Sequence, residues 1–195
     1  MKILFITHNT ALAGAPKVLL LFLQWLAVHK PLVEIHVLDM APGVMEPDFR
    51  ACSNGYYIFP NRNSERNFIV KAIRKMGLLS NGKDAKTKLL HLLGKQNFDF
   101  IYANTIKTVP VAVQIKANTI RTKIILHLHE LPTVIKLLLP DFPSYTNYID
   151  GIIAASEIVK TKLIKDYDVS VKKIQTVYAF SEAVSISGSK KTKEI

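Results

Sequence analysis

Short apolar runs alternate along this chain with segments in which apolar residues recur every three or four positions. The first run, KILFITHN from Lys2 to Asn9, alternates too little for one side to face water. Such runs are typical of strands buried on both faces of a parallel sheet. The segment from Lys17 to Leu26 has helical spacing, and Pro16 precedes it where the first turn of a helix tolerates proline. The chain is therefore predicted to begin with a strand, a short loop and a helix.

The same alternation continues to the end of the sequence. Further strands with their exit loops are predicted at residues 33–39, 55–60, 98–105, 123–130, 150–156 and 173–180. Helices are predicted at residues 110–117 and 157–166, as two helices within 61–96 and as two short helices within 131–148. A loop with Pro42, Gly43 and Pro47 is expected after the second strand. Strands alternating with helices predict an α/β fold, a Rossmann-like doubly wound and mostly parallel sheet.

Composition limits the classes of protein that the chain can belong to. With 195 residues, 49% of them hydrophobic, it is long enough for one domain with a full core. That domain is expected to span residues 1–180, and a polar, linker-like tail to occupy 181–195. The single cysteine, Cys52, excludes an internal disulfide framework and a cysteine-rich zinc site. The sequence has neither a signal peptide nor an 18-residue apolar run, so we expect a cytoplasmic protein without a transmembrane helix.

The chain is strongly basic, with a formal net charge of +11 at pH 7. Basic proteins bind nucleic acid, anionic lipid or phosphorylated ligands. No RRM, KH or helix-turn-helix pattern is present, so no nucleic-acid partner is expected.

Much of the positive charge lies in one segment, from Arg62 to Lys95, which holds nine basic and two acidic residues. Apolar residues from Phe68 to Met76 form a stripe at helical spacing within it. One interpretation is a stripe that faces the core behind a solvated outer face. The other is a helix that binds the inner membrane face through anionic lipid. Its candidate membrane-surface residues are Arg66, Lys71, Arg74 and Lys75.

Polar residues follow the predicted strands at their exits. They are His8 after the first strand, Asn104 and Thr105 after the fourth, His129 and Glu130 after the fifth, and Ser156 after the sixth. Because parallel strands end at one edge of a sheet, these side chains are expected to converge there. Two of them have simpler interpretations, since Ser156 suits a helix N-cap and Asn104 suits a turn.

The loop after the first predicted strand and the exit of the fifth predicted strand suggest different chemistry. Gly14 and Ala15 keep side chains away from a helix N-terminus, which favours an anion site, although Gly14 also suits a tight turn. His129 followed by Glu130 suits a hydroxyl group, and two residues are too few for a metal site. His127 is interpreted as a buried histidine with its hydrogen bonds satisfied. Neither G-x-G-x-x-G nor a P-loop is present.

Several segments together resemble the N-terminal, acceptor-side domain of GT-B glycosyltransferases of family 4, the retaining, sugar-nucleotide-dependent group. The matching segments are KILFITHNTALAGAPKVLL, DFIYANT, ILHLHEL, DGIIAASEIVKTKL and VKKIQTVYAF, in that order from Lys2 to about Phe180. The resemblance implies a nucleotide-sugar donor as co-substrate, a hydroxyl acceptor and no further cofactor. It implies that the Gly14 loop lies against the donor phosphates or the acceptor, and that His129 faces the transferred sugar as the catalytic candidate. The candidate substrate-binding residues are Gly14, Ala15, Asn104, Thr105, Glu130 and Ser156.

The chain also departs from that family. Many members have a second glycine where this chain has Ala15. We expect the C-terminal donor-binding domain, with its E-x7-E motif, to be absent from these 195 residues, so catalysis is expected to need such a domain or a partner subunit. The alternatives are a non-catalytic binding module of the same fold, half of a sugar-nucleotide epimerase, and a nicotinamide-dependent oxidoreductase. The missing G-x-G-x-x-G disfavours the last of these.

Overall fold

Seven parallel strands form one sheet in the computed structural model, which describes residues 1–12, 14–60, 82–119 and 121–178. The strands are β1 (Lys2–Thr7), β2 (Glu34–Asp39), β3 (Gly55–Ile58), β4 (Phe100–Asn104), β5 (Lys123–Leu128), β6 (Gly151–Ala154) and β7 (Ile174–Thr176). Their order across the sheet is β3-β2-β1-β4-β5-β6-β7. Every pairing between neighbours is parallel. The predicted α/β, Rossmann-like architecture is therefore confirmed.

The helices connect these strands. They are α1 (Gly14–His29), α2 (Glu46–Ala51), α3 (Gly82–Gly94), α4 (Val109–Lys116), α5 (Pro132–Leu138), α6 (Phe142–Tyr145) and α7 (Glu157–Tyr167). Connections between parallel strands are right-handed, so helices change face when the chain reverses its direction across the sheet. From β1 the chain runs outward to β3 and then crosses back to β4, where it turns towards β7.

Two hydrophobic clusters lie one on each face of the sheet, in agreement with this change of face. On one face, Phe5 and Val37 pack with Leu23 of α1 and Phe49 of α2. The other cluster combines inward residues of β1, β4, β5 and β6 with those of α3 to α7, including Leu4, Leu93, Ile115, Leu126, Phe142 and Leu163. The continuous apolar strands of the sequence are explained by this burial on both sides.

Two local predictions differ from the structure. Residues 46–51 form α2, where a loop was expected, because Pro47 lies in the first turn, where its missing N–H is tolerated, and Phe49 is fully buried. Gly14 is the first residue of α1 and not part of the loop before it. Between β4 and α4 the chain also forms a single 3₁₀ turn, Ile106–Thr108, which periodicity had not indicated.

Some predictions fall outside the described residues. The first helix of the basic segment, with Arg66, Lys71, Arg74 and Lys75, lies within 61–81, and the linker-like tail lies within 179–195. These stay predictions. Within the described ranges, no helix has the length and apolar character needed to cross a bilayer.

Candidate functional site

The sheet has a topological switch point between β1 and β4. The chain leaves β1 towards β2 and leaves β4 towards β5, so the two connections diverge and leave a crevice at the carboxyl edge. The register aligns Thr7 with Asn104 and Asn104 with His127, which makes the exits of β1, β4 and β5 direct neighbours. The structure thus brings the predicted polar exits together at one edge.

Thr105 joins two of these exits. Its hydroxyl oxygen lies 3.2 Å from Nδ1 of His8, and its N–H donates to the carbonyl oxygen of His127 at 3.0 Å. Its φ is +92°, a conformation that non-glycine residues rarely adopt. Strain of this kind persists where surrounding bonds hold it and is common at functional sites. Here Thr108 holds it, because its backbone N–H and its hydroxyl both donate to the carbonyl oxygen of Thr105.

Asn104 joins β4 to the first turn of α1. Its Nδ2 donates to the carbonyl oxygen of Ala15 at 3.2 Å, while its Oδ1 is buried without a partner in the described structure. Asn104 therefore bridges two elements and does not simply close a turn. Gly14 is exposed, a Cβ there would meet nothing within 4 Å, and its φ lies outside the left-handed region. Neither space nor conformation requires glycine at this position, which argues against the tight-turn interpretation.

Two histidines lie at the end of β5 and directly after it. The ring centroids of His127 and His129 are 4.0 Å apart, and the Tyr102 hydroxyl lies 2.6 Å from Nδ1 of His127. Burial, with the neighbouring His129, lowers the pKa of His127 to about 3. Burial, with the nearby His8, lowers the pKa of His129 to about 4. Both rings are therefore neutral at pH 7.

Neither histidine ring has a hydrogen-bond partner for its Nε2 atom within the described ranges. The Nε2 atoms of His127 and His129 are buried and have no hydrogen-bond partner among the described residues. The interpretation of His127 as a satisfied core histidine is therefore wrong for one of its two nitrogens. Buried polar atoms nearly always have partners, so these two atoms and Oδ1 of Asn104 mark places where a ligand or water binds.

Glu130 folds back on the end of β5. Its Oε2 accepts a hydrogen bond from the His129 N–H at 3.1 Å. Burial raises the pKa of Glu130, although backbone N–H groups and Lys107 oppose that rise. Burial and the charge of Lys107 lower the pKa of His8. The cleft floor consequently carries little positive charge from its own histidines.

Ser156 has a clear structural role. It precedes α7, and its Oγ accepts a hydrogen bond from the Val159 N–H at 3.3 Å. The N-cap interpretation is therefore confirmed, while substrate binding by Ser156 stays a prediction.

We expect Ser156→Ala to lower the free energy of unfolding by about 1 kcal/mol, because α7 loses its capping oxygen. Urea unfolding followed by circular dichroism measures this change. Ser170→Ala is the matched control, since Ser170 is exposed and its side chain makes no cap bond to the following 3₁₀ turn. Equal stability of the two variants would contradict the capping role.

The exit of β2 contains a cluster that the sequence did not single out. Asp39 is fully buried, and its Oδ2 accepts hydrogen bonds from the hydroxyls of Thr10 (2.8 Å) and Tyr56 (2.6 Å). Its Oδ1 accepts from the Ala41 N–H at 2.9 Å. A carboxylate at the end of the second strand binds ribose in many dinucleotide-binding proteins. Here both oxygens are engaged, which further disfavours the nicotinamide-dependent interpretation.

This cluster fixes the loop between β1 and α1. The Thr10 hydroxyl accepts from the Gly43 N–H at 2.7 Å, and the Thr10 carbonyl oxygen accepts from Met45 N–H at 3.0 Å. A Cβ on Gly43 would lie 2.8 Å from backbone atoms of Thr10, so this close approach requires glycine. The signal in the sequence was a polar residue at a strand exit, the same one that identified His129.

The opposite edge of the sheet holds a cavity of about 700 Å³ beside Asn97, Asp99, Arg121 and Lys123. It contains none of the candidate residues. Among the described residues, five buried side-chain polar atoms lack a partner, and three of them, on Asn104, His127 and His129, lie together at the carboxyl edge, while the other two belong to His36 and Thr176. We place the site at the carboxyl edge because of that group of three. In the described part of the chain, no group of three or more histidine, cysteine or acidic residues is arranged to hold a metal ion.

Comparison with known proteins gives structural matches alone. Neither a protein-family model nor a curated protein matches the sequence. Several solved structures share the fold, among them the following three. HepE from Anabaena, solved in complex with UDP and glucose, is 19% identical with a TM-score of 0.62 over 92% of this chain. The lipopolysaccharide outer core galactosyltransferase WaaB, in its apo form, is 16% identical with a TM-score of 0.63 over 91%. A glycosyltransferase from Rickettsia africae ESF-5 is 14% identical with a TM-score of 0.57 over 91%.

At these identities the likeness shows a shared fold. The chain spans 44% of the HepE chain, 45% of WaaB and 42% of the Rickettsia protein. The chain therefore spans less than half the length of each of these three proteins.

Proposed function

We propose that this chain is the N-terminal part of a GT-B glycosyltransferase of family 4, a retaining enzyme that uses a nucleotide-sugar donor and a hydroxyl acceptor. The matching sequence segments support this proposal, as does the fold shared with two proteins that are named as glycosyltransferases. The sugar is proposed to bind at the carboxyl edge, beyond the ends of β1, β4 and β5.

One observation carries the proposal. Three buried polar atoms without partners, Oδ1 of Asn104 and Nε2 of His127 and His129, belong to adjacent strand exits. A hydroxyl group can donate and accept hydrogen bonds, so a sugar can satisfy donors and acceptors in one small volume. The neutral state of both histidines suits uncharged hydroxyls.

The other candidate residues take complementary roles. His129 contacts the transferred sugar, and Asn104, Thr105 and Glu130 support it. The first turn of α1, at Gly14 and Ala15, offers backbone N–H groups to the donor phosphates or the acceptor. No acidic residue lies in that turn to oppose an anion.

Transfer is proposed to need a second domain or subunit. A glycosyl transfer requires donor and acceptor to be held together, and positioning alone contributes about 7–11 kcal/mol of the barrier. Because the family's donor-binding domain is a second domain, we expect the 195-residue chain by itself to bind a sugar nucleotide only weakly, through its own side of the cleft, and not to transfer its sugar.

Titration of the isotope-labelled chain with UDP-glucose, followed by NMR, tests this function. We expect shifts confined to residues at the exits of β1, β4 and β5 and in the first turn of α1. His129→Ala is expected to weaken binding about tenfold, because a buried hydrogen bond to the ligand is lost. His91→Ala is the matched control, since His91 is exposed on α3.

Three results would contradict the proposal. They are no binding at millimolar UDP-glucose, shifts centred on the cavity at the opposite edge, and tighter binding of NADH than of UDP-glucose at the same site. Sugar transfer by the chain alone would contradict the need for a second domain. Binding without transfer after addition of a family donor-binding domain would favour the binding-module alternative.

A further inference from the structure

We infer that Tyr102 is a positioning residue that holds His127 in the tautomer with its proton on Nε2, so that His127 donates a hydrogen bond to an uncharged oxygen of the ligand in the cleft. This inference rests on the proposed function for its choice of ligand. The tautomer itself follows from the geometry of β4 and β5.

Two hydrogen-bond arrangements fit the 2.6 Å contact between the Tyr102 hydroxyl and Nδ1 of His127. If Nδ1 donates to the tyrosine oxygen, both the tyrosine proton and Nε2 are left without partners among the described residues. If the tyrosine donates to Nδ1, only the Nε2–H is left. The second arrangement leaves one fewer buried polar group unsatisfied and is therefore favoured.

The protonation states agree with the second arrangement. Burial raises the pKa of Tyr102, so its hydroxyl keeps the proton. Burial and the neighbouring His129 keep His127 neutral, so the ring carries one proton. When Nδ1 accepts from tyrosine, that proton must lie on Nε2.

Packing holds the pair in place. The ring of Tyr102 lies 5.3 Å from that of Phe5 and 6.1 Å from that of Phe22, measured between centroids. His127 is 6% exposed, and its ring centroid lies 4.0 Å from that of His129. Neither ring can turn far without breaking these contacts, so the donor is preorganised.

The surroundings of Nε2 indicate what it binds. Asn104, opposite His127 in the register, has a buried Oδ1 that accepts hydrogen bonds and lacks a donor. A donor on one strand and an acceptor on the next suit a hydroxyl group, which uses both. Neutral histidines offer no positive charge to phosphate, so this part of the cleft is assigned to the sugar and not to the diphosphate.

Histidine nitrogen NMR tests the tautomer directly in the full chain. We expect the wild-type protein to show His127 as the Nε2–H form, and Tyr102→Phe to show a mixture of both tautomers. Tyr57→Phe is the matched control, because Tyr57 faces Nδ1 of His36 at 3.4 Å, away from the cleft. It is expected to leave His127 unchanged. A predominant Nδ1–H form in the wild-type protein would overturn the inference.

Binding of UDP-glucose and of UDP tests the ligand. Tyr102→Phe is expected to weaken UDP-glucose binding between about threefold and tenfold and to leave UDP binding unchanged, because one neutral hydrogen bond to the sugar is affected. His127→Leu is expected to lose as much affinity for UDP-glucose as Tyr102→Phe. His127→Gln, which retains an N–H donor, is expected to lose less. A purely structural role for the pair would not separate these two ligands.

The outcomes separate this inference from the proposed function. If UDP-glucose binds in the cleft of Tyr102→Phe and His127→Leu as tightly as in wild type, the inference fails and the proposed function stands. If UDP-glucose and UDP are weakened equally, the residues act on the fold and the inference fails. If neither ligand binds the wild-type chain, both fail.

Discussion

Replacement of Asp39 by alanine is expected to lower the free energy of unfolding by about 3 kcal/mol. The carboxylate is fully buried and accepts hydrogen bonds from Thr10, Tyr56 and the Ala41 N–H. Its removal leaves buried donors unsatisfied, and each such group costs about 1–3 kcal/mol. This loss of stability is larger than the one expected for Ser156→Ala, because that substitution removes a single, partly buried hydrogen bond.

Urea unfolding measures this loss, with Asp166→Ala as the control because Asp166 is exposed on α7. Hydrogen exchange adds a local measurement. Because Thr10, in the loop after β1, accepts hydrogen bonds from the Gly43 and Met45 N–H groups, the amides of Gly43 and Met45 are expected to exchange faster in Asp39→Ala. A variant with wild-type stability would show that Asp39 does not hold this loop.

The stability of the chain is expected to fall as the pH is lowered from about 6.5 towards 4. The pKa values of His127 and His129 are lowered to about 3 and about 4, chiefly by burial. Below pH 6.5 the unfolded chain therefore binds protons that the folded chain does not. The stabilisation that each neutral histidine contributes is complete above pH 6.5, the pKa of histidine in the unfolded chain. It is lost as the pH falls towards the lower pKa of the folded chain. Each such histidine contributes a slope of about 1.4 kcal/mol per pH unit.

Comparison of variants isolates this effect, because other groups titrate in the same range. Burial lowers the pKa of His36 as well, and burial raises the pKa of Glu130, which partly offsets the loss. His127→Asn is expected to reduce the slope by about 1.4 kcal/mol per pH unit between pH 6 and 4.5. His91→Asn, at an exposed position on α3, is the matched control. An unaltered slope in His127→Asn would mean that this ring is protonated in the folded chain.

The pattern of the sequence was enough to predict the class of fold. Strands buried on both faces are apolar at nearly every position, which is why β1 could be recognised without alternation. Parallel strands end at one edge, so the order of elements also predicted that His8, Asn104 and His129 meet. These predictions depend on chain direction and periodicity, which are local properties.

Other features depend on partners distant in the chain, which no local pattern reveals. Asp39 is satisfied by Thr10, 29 residues earlier, and by Tyr56, 17 residues later. Tyr102 and His127 are 25 residues apart and meet because β4 pairs with β5 in one register.

The sequence alone thus determined which residues end the strands and which edge they share. Tertiary structure decided which of their polar atoms are paired and which are left for a ligand. The reason is that hydrogen-bond satisfaction depends on distances of a few tenths of an ångström between neighbouring strands. Sequence spacing sets the order of those strands and not the positions of their side-chain atoms.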